Sequence, residues 1–205
     1  MEHDFWHQRW SEGRIGFHQS EINSLLLSNW QSLDLAEGSR VFVPLCGKSK
    51  DLLWLRGQGH QVVGNELSEA ASDAFFKENN LQPERISAFG YENRSVDKLL
   101  LMTGDFFALR PDHLEGMAAV YDRAALIALP PEMRQQYAQK MCKVLPEGVK
   151  MLLITLEFEG DSGPPFSVPR QELESLYGGR FKLTRLQESM EGDRTEVCWL
   201  LVDKG

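Results

Sequence analysis

The sequence predicts an α/β domain, built on a mostly parallel sheet with helices on both faces. From Arg40 onward, short apolar runs rich in β-branched residues alternate with amphipathic helical stretches, which is the pattern of such a sheet. The chain has 205 residues, of which 42% are hydrophobic, so it has the size and the apolar content of one domain around one core. We therefore expect a single domain over residues 1–205.

Seven segments have the composition of strands. They are residues 40–45, 61–66, 97–102, 117–122, 149–158, 181–189 and 195–203. The last two are separated only by a short polar turn, which predicts an antiparallel hairpin at the C-terminal end of the sheet.

Helical stretches lie between these strands, and capping residues mark where they begin. Ser49 and Ser68 each precede an apolar helical pattern, as N-cap residues do. Residues 1–30 carry aromatic and apolar side chains at helical spacing, Trp6 and Trp10 among them, with a glycine-bearing break between two helical parts. We expect this segment to form a helical cover over the ligand site of the main domain.

The overall charge argues against two classes of partner. The formal net charge is −8 and the sequence pI is about 5.2. The chain thus has no excess of Lys and Arg with which to bind a polyphosphate backbone or an anionic membrane. We expect neither nucleic acid nor a membrane as a partner.

Cysteine and histidine usage predicts a metal-free cytoplasmic protein. Cys46, Cys142 and Cys198 are far apart and form no C-x-x-C pair, so we expect reduced thiols in a reducing compartment. His3 and His7 stand four residues apart, but no acidic third ligand accompanies them, and no metal site is predicted. No apolar run approaches the roughly 20 residues that span a bilayer.

The loop "PLCGKS", residues 44–49, follows the first predicted strand. In open parallel sheets, ligands bind at the carboxyl ends of the strands where the strand order reverses. A dinucleotide loop would carry three glycines, whereas this loop has only Gly47, and a phosphate loop would need glycine in place of Phe42. A ligand with a ribose and an adenine but no phosphates fits better. We therefore predict that Gly47 and its neighbours contact S-adenosylmethionine.

Acidic and basic residues follow three other strands. Glu66 ends the second strand 19 residues beyond Gly47, a spacing at which a carboxylate accepts hydrogen bonds from ribose hydroxyls; the alternative is a solvated helix-capping glutamate. Asp105, in "TGDFF", either faces the adenine or belongs to a simple turn. Arg123 ends the strand "AAVYDR" and either forks onto an anionic acceptor or pairs with Asp122 at the surface.

Five stretches together resemble the thiopurine S-methyltransferase family, most closely its bacterial members. They are "FWHQRWSEGRIGFHQ" (5–19), "VFVPLCGKSKDLLWL" (41–55), "GHQVVGNELSE" (59–69), "YDRAALIAL" (121–129) and "GPPFSVPRQELESLY" (163–177). The resemblance implies a doubly wound, Rossmann-like methyltransferase sheet of seven strands. It also implies S-adenosylmethionine contacts at Trp10, Leu45, Glu66 and Arg123, and at the turn Gly104–Asp105, with Trp10 and Leu45 as apolar walls.

The activity implied by the resemblance is S-methylation of aromatic and heterocyclic thiols such as thiopurines. Methyl transfer from a sulfonium to a thiol is an in-line displacement, so the protein mainly aligns the two centres and excludes water. We expect Arg123 and His18 to orient the anionic sulfur without a strong base, although His18 could instead have a structural role. Phe17, Pro165 and Phe166 would form a flat apolar cover over the acceptor, although Phe166 could instead anchor its loop to the core.

Other functions share parts of this pattern. The same cofactor site could serve methylation of selenium or tellurium species, or of halide and thiocyanate. A nicotinamide-dependent oxidoreductase is disfavoured by the absence of G-x-G-x-x-G, and a non-catalytic binding module is the third alternative. The expected partner is a small-molecule thiol or chalcogen acceptor, and the expected state is a monomer.

Overall fold

A computed structural model describes residues 6, 8–10, 12–14, 16, 18–160 and 163–205 of the chain. Within these residues one sheet contains nine strands, β1 (Arg40–Val43), β2 (Gln61–Glu66), β3 (Glu84–Ala88), β4 (Tyr91–Val96), β5 (Leu99–Thr103), β6 (Met117–Arg123), β7 (Lys150–Glu157), β8 (Phe181–Glu191) and β9 (Arg194–Asp203). The α-helices over residues 18–160 and 163–205 are α1 (Ser24–Asn29), α2 (Asp51–Gly57), α3 (Glu69–Glu78), α4 (Pro131–Val144) and α5 (Arg170–Tyr177).

The middle of the sheet is parallel, as the sequence predicted. The strand order is β3-β4-β5-β2-β1-β6-β7-β9-β8, and the five strands from β5 to β7 run in parallel. The chain proceeds from β1 to one side of the sheet through β2 and β5, and then returns to the other side through β6 and β7. The order therefore reverses between β1 and β6, and the carboxyl ends of these two strands form the crevice in which such folds bind ligands.

The predicted count of seven strands was too low, because the hairpin β3–β4 was missed. Its outer strand, β3, is an exposed edge strand with no buried apolar face. Its inner strand, β4, buries Arg94 where a hydrophobic residue is expected. Neither strand therefore has the alternating apolar pattern that marks a strand in a sequence. The predicted C-terminal hairpin is confirmed, since β8 and β9 pair antiparallel beside β7.

The hydrophobic core has two halves, one on each face of the sheet. One half packs α1, α2 and α3 against the sheet, and the other packs α4 and α5 against the opposite face. Consecutive residues of a strand point to opposite faces. Along β6, Ala119 and Tyr121 accordingly belong to the first half and Val120 belongs to the second.

The N-terminal segment is helical where the structure describes it. Trp6 and residues 8–10 are helical, and Asn23 caps α1 by accepting hydrogen bonds from the N–H groups of Leu25 and Leu26. Residues 1–5, 7, 11, 15 and 17 lie outside the description, and so do the predictions that concern His3, His7 and Phe17.

Three further observations concern the residues that the structure describes. No helix there has both the length and the apolar character that crossing a bilayer requires. No group of three or more His, Cys, Asp or Glu side chains there could hold a metal ion. The three cysteines are free thiols, and Cys46 and Cys198 are buried.

Candidate functional site

The loop after β1 is held at the carboxyl edge of the sheet by backbone hydrogen bonds. The N–H of Cys46 donates to the carbonyl oxygen of Asn65 on β2. The side-chain amide of Asn65 in turn donates to the carbonyl oxygens of Met102 and Gly104 at the end of β5, at 3.1 Å each. The ends of β1, β2 and β5 are thus joined through Asn65, which fixes the position of the loop.

Glu66 completes the connection between this loop and β2. Its carboxylate is 5% exposed, and its two oxygens accept hydrogen bonds from the N–H groups of Gly47 (2.8 Å) and Ser68 (2.7 Å). Burial raises the pKa of Glu66, while these N–H groups act in the opposite direction. The alternative of a solvated glutamate is therefore wrong. A carboxylate has about four acceptor positions, so Glu66 can still accept a hydrogen bond from a ligand.

A cleft opens at this edge, between the ends of β1, β2 and β6. Its empty volume, including the open mouth, is about 790 Å³, within the range of small-molecule sites. Six residues predicted from the sequence line it, namely Trp10, His18, Leu45, Gly47, Glu66 and Arg123. The structure thus brings most of the predicted cofactor residues together around one space.

Gly47 is required by the shape of the cleft. Its φ of +55° is a conformation that side-chain-bearing residues rarely adopt. A Cβ atom at this position would also lie 3.2 Å from Cζ2 of the Trp10 ring. The helical N-terminal segment therefore packs its indole directly against the loop backbone.

The turn Gly104–Asp105 lies beside the cleft, at the end of β5. The N–H of Gly104 donates to the carbonyl oxygen of Glu66 (2.8 Å), and a Cβ at Gly104 would lie 2.7 Å from the Tyr91 ring. The carboxylate of Asp105 accepts from the N–H of Phe107 at 2.9 Å and so caps a short 3₁₀ helix. The geometry fits the turn interpretation for Asp105, with the backbone placed next to Glu66.

A second cavity adjoins the cleft and shares Trp6, Ala124 and Ala128 with it. Its empty volume is about 690 Å³, including open solvent. Pro165 lines this cavity and was predicted from the sequence. Arg9 and Arg194 also line it, but they were not predicted. The second cavity therefore combines apolar walls with two guanidinium groups.

Phe166 anchors its loop rather than covering this space. Its N–H donates to the carbonyl oxygen of Ile127 (2.7 Å), and its ring lies 5.6 Å from the Arg134 guanidinium carbon. Among the described lining residues of the cleft and of the second cavity, Phe166 does not occur. The contacts favour the alternative in which Phe166 is a structural residue of the loop.

Asp122 is not the surface partner of Arg123. Its carboxylate is fully buried and accepts hydrogen bonds from the Tyr137 hydroxyl (2.7 Å) and the Leu126 N–H (3.3 Å). Burial raises the pKa of Asp122 to about 6. Because neighbouring strand residues point to opposite faces, Arg123 is directed to the cleft while Asp122 is directed into the core.

Asp51 lines the cleft, although it was not predicted from the sequence as a site residue. It is 1% exposed, and its carboxylate accepts hydrogen bonds from the Asn23 N–H (3.0 Å) and the Tyr121 hydroxyl (2.9 Å). Burial and the nearby Asp51 charge raise the pKa of Tyr121 well above its usual value. Both Asp51 and Tyr121 line the cleft. From the sequence alone, Asp51 was only an acidic residue near the start of a helix.

His18 lies on the wall of the cleft. Burial, together with the positive charge of Lys48, lowers the pKa of His18 below its usual value. The uncharged ring, which can donate or accept one hydrogen bond, is thereby favoured over the imidazolium. Of the two residues predicted to orient an anionic sulfur, only Arg123 carries a fixed charge.

Comparisons with known proteins show similarity to one family over nearly the whole chain. A family model described as "Thiopurine S-methyltransferase (TPMT)" matches residues 1–197. The chain is 48% identical to the thiopurine S-methyltransferase of Pseudomonas syringae pv. syringae (strain B728a), with 91% of this chain and 86% of that protein covered. It is 45% identical to that of Pseudomonas aeruginosa (strain UCBPP-PA14), with 100% and 94% covered.

Solved structures with low sequence identity share the fold. Magnesium protoporphyrin IX methyltransferase from Synechocystis PCC 6803, with bound S-adenosylmethionine, superposes with a TM-score of 0.65 at 13% identity, and the match covers 98% of this chain and 97% of that one. A Burkholderia thailandensis 1,6-didemethyltoxoflavin-N1-methyltransferase gives a TM-score of 0.66 at 13% identity, with 99% and 87% covered.

Proposed function

The chain belongs to the thiopurine S-methyltransferase family, and from that premise we propose that its cleft binds S-adenosylmethionine and its second cavity binds an aromatic or heterocyclic thiol. The protein is an S-adenosylmethionine-dependent methyltransferase that acts on sulfur. The observation that carries the proposal is that the two cavities share Trp6, Ala124 and Ala128. A donor in one cavity and an acceptor in the other would therefore meet at a common wall.

The residues of the cleft fit the chemical parts of S-adenosylmethionine. We infer that the spare lone pairs of Glu66 accept hydrogen bonds from the ribose hydroxyls, because this carboxylate is buried at the end of β2 and faces the cleft. Trp10 and Leu45 would form apolar walls. The turn Gly104–Asp105 continues this edge of the sheet and would border the adenine.

The reaction places modest demands on the protein. S-adenosylmethionine supplies, when bound, a methyl group activated by the sulfonium. A heterocyclic thiol is substantially ionised near neutral pH, so the site needs no strong base. We propose that Arg123 orients the anionic sulfur with its planar guanidinium. His18 would donate or accept one hydrogen bond, and Ile127 and Pro165 would cover the flat ring and exclude water.

We further propose a small-molecule acceptor and a cytoplasmic location. The size and the apolar lining of the second cavity favour a small molecule over a macromolecule. The free thiols of Cys46, Cys142 and Cys198 fit a reducing cytoplasm.

A binding experiment followed by a panel of acceptors tests this proposal. The purified chain is titrated with S-adenosylhomocysteine in a calorimeter. It is then assayed for methyl transfer to a heteroaromatic thiol, an aliphatic thiol, selenite, tellurite and iodide. We expect saturable binding and turnover mainly of the heteroaromatic thiol. Turnover confined to selenite, tellurite or iodide would overturn the acceptor assignment, and the absence of binding would overturn the placement of the donor.

A further inference from the structure

The Asp51 carboxylate is buried without a counter-ion. Among the described residues, its hydrogen-bond donors are a backbone N–H, from Asn23, and a hydroxyl, from Tyr121, and both donors are neutral. Among the residues that the structure describes, no Lys, Arg or His side chain forms an ion pair with it. A buried charge that is stabilised only by dipoles retains much of its unfavourable burial energy. A cation that enters its surroundings would therefore be attracted.

A second buried carboxylate lines the same cleft. Glu66 is 5% exposed, and its hydrogen-bond donors among the described residues are likewise backbone N–H groups. Lys48 also lines the cleft, but its ammonium group is bonded to Glu78 at 2.7 Å. Arg123 lies next to Ala124, which the two cavities share, and its positive charge acts on both His18 and Tyr121. The cleft lining nevertheless contains two buried carboxylates, Asp51 and Glu66, whose hydrogen-bond donors are neutral.

The charge of the cofactor changes during the reaction. The methyl donor has a sulfonium, an ammonium and a carboxylate group, so its net charge is positive. In the transfer, an electron pair of the acceptor thiolate forms a bond to the methyl carbon while the bond from that carbon to the donor sulfur breaks. The electron pair of the broken bond stays on the donor sulfur, and the donor becomes a thioether with no net charge. In a site from which water is excluded, a fixed negative charge distinguishes these two molecules more strongly than it would in solvent.

We propose that Asp51 is a specificity-determining residue whose buried negative charge makes the cleft favour S-adenosylmethionine over S-adenosylhomocysteine. The inference rests on the proposed placement of the donor in this cleft. The hydrogen bonds of Asp51 do not by themselves require a negative charge, whereas this proposal gives that charge a role. By weakening retention of the neutral product, the same charge would assist product release after each turnover.

The variant Asp51→Asn removes the charge and leaves the hydrogen bonds satisfiable. The asparagine oxygen still accepts from the Asn23 N–H, and the Tyr121 hydroxyl can rotate to accept a hydrogen bond from the new amide. Asp122→Asn is a matched control. Asp122 is also fully buried and also accepts from one backbone N–H and one tyrosine hydroxyl, but it is not among the described residues that line the cleft.

The test compares the two cofactor forms rather than activity. The dissociation constants of S-adenosylmethionine and S-adenosylhomocysteine are measured by calorimetry, without acceptor, for the wild-type chain and both variants. In Asp51→Asn we expect affinity for S-adenosylmethionine to fall about tenfold more than affinity for S-adenosylhomocysteine, as the loss of one nearby charge predicts. In Asp122→Asn the ratio of the two constants should stay within about twofold of the wild-type ratio.

Equal losses for both ligands in Asp51→Asn would overturn the proposal. If the wild-type chain bound neither ligand, the placement of the donor itself would fail, which is a separate result. A second measurement does not depend on folding of the variant. A donor analogue with a protonated amine in place of the methylsulfonium should bind the wild-type chain more tightly than S-adenosylhomocysteine does. Equal or weaker binding of that analogue would contradict a preference based on charge.

Discussion

Asp51 and Asp122 accept hydrogen bonds from the same kinds of donor, but they lie on opposite faces of the sheet. Each is buried, and each accepts from one backbone N–H and one tyrosine hydroxyl. Asp51 meets β6 through Tyr121 on the face that reaches the cleft, whereas Asp122 lies on the other face, among the residues of α4. The donor set of a buried carboxylate therefore does not reveal its role; the side of the sheet to which it points does.

The largest effect should be seen when the pH dependence of the free energy of unfolding is compared between the wild type and Asp122→Asn. The folded pKa of Asp122, about 6, lies above the unfolded value of about 4, so the native state retains a proton that the unfolded chain loses between these values. The contribution of Asp122 to stability is thus fully present below about pH 4 and decreases as the pH rises through about 6.

We expect the free energy of unfolding of the wild type, minus that of Asp122→Asn, to fall by about 3 kcal/mol in total over this interval. Urea denaturation at several values from about pH 3.5 to about pH 7.5 covers most of this interval and measures the change. A difference that stays constant with pH would show that Asp122 is as accessible to water as an ordinary aspartate.

Glu66→Ala should produce the next largest effect. This effect is on ligand affinity, not on the pH dependence of stability. The change removes the acceptor of the Gly47 and Ser68 N–H groups and the proposed acceptor of the ribose hydroxyls. We expect the binding free energy for S-adenosylhomocysteine to weaken by about 1–3 kcal/mol, which lowers the affinity roughly fivefold to 150-fold. Calorimetry on Asp122→Asn is the control, since a core carboxylate should leave this affinity unchanged. Unchanged binding in Glu66→Ala would remove Glu66 from the site.

Gly47→Ala should give the smallest of the three effects. The new Cβ would stand 3.2 Å from the Trp10 ring, in a backbone conformation with φ of +55°. We expect S-adenosylhomocysteine affinity to fall about fivefold, because the two strains together weaken binding by on the order of 1 kcal/mol. Gly57→Ala is the matched control, since Gly57 lies in α2 and a Cβ there meets nothing within 4 Å. An equal loss in both variants would mean that the shape of the loop at Gly47 is unimportant.

The parallel core of the fold could be predicted because buried strands are continuous apolar runs. The hairpin β3–β4 could not, because Arg94 occupies a core position on β4. Its guanidinium is 1% exposed and is satisfied by Thr103 (2.8 Å), Glu69 (2.9 Å) and Asp73 (3.2 Å). These partners lie on β5 and α3. A sequence pattern that treats arginine as a surface residue cannot anticipate such a network.

The candidate site likewise contains some residues that could be predicted from the sequence and others that could not. Leu45, Glu66 and Arg123 could be predicted from their positions at strand ends and from the family resemblance, whatever their neighbours. Asp51 could not, because its position on the cleft wall depends on a hydrogen bond from Tyr121, which is 70 residues away in the chain. Arg194 enters the second cavity from β9, beyond the final hairpin turn. Residues whose function depends on contacts between distant segments require the folded structure.

The positions of the tryptophans give the chain a built-in optical reporter. Trp30 and Trp199 are buried and donate to His60 (3.0 Å) and Thr155 (2.9 Å), so their emission should form a constant background. Trp6 and Trp10 line the cleft. Occupation of the cleft should therefore change the fluorescence of these two indoles selectively, and the ring that packs on Gly47 makes the filling of the site visible without a label.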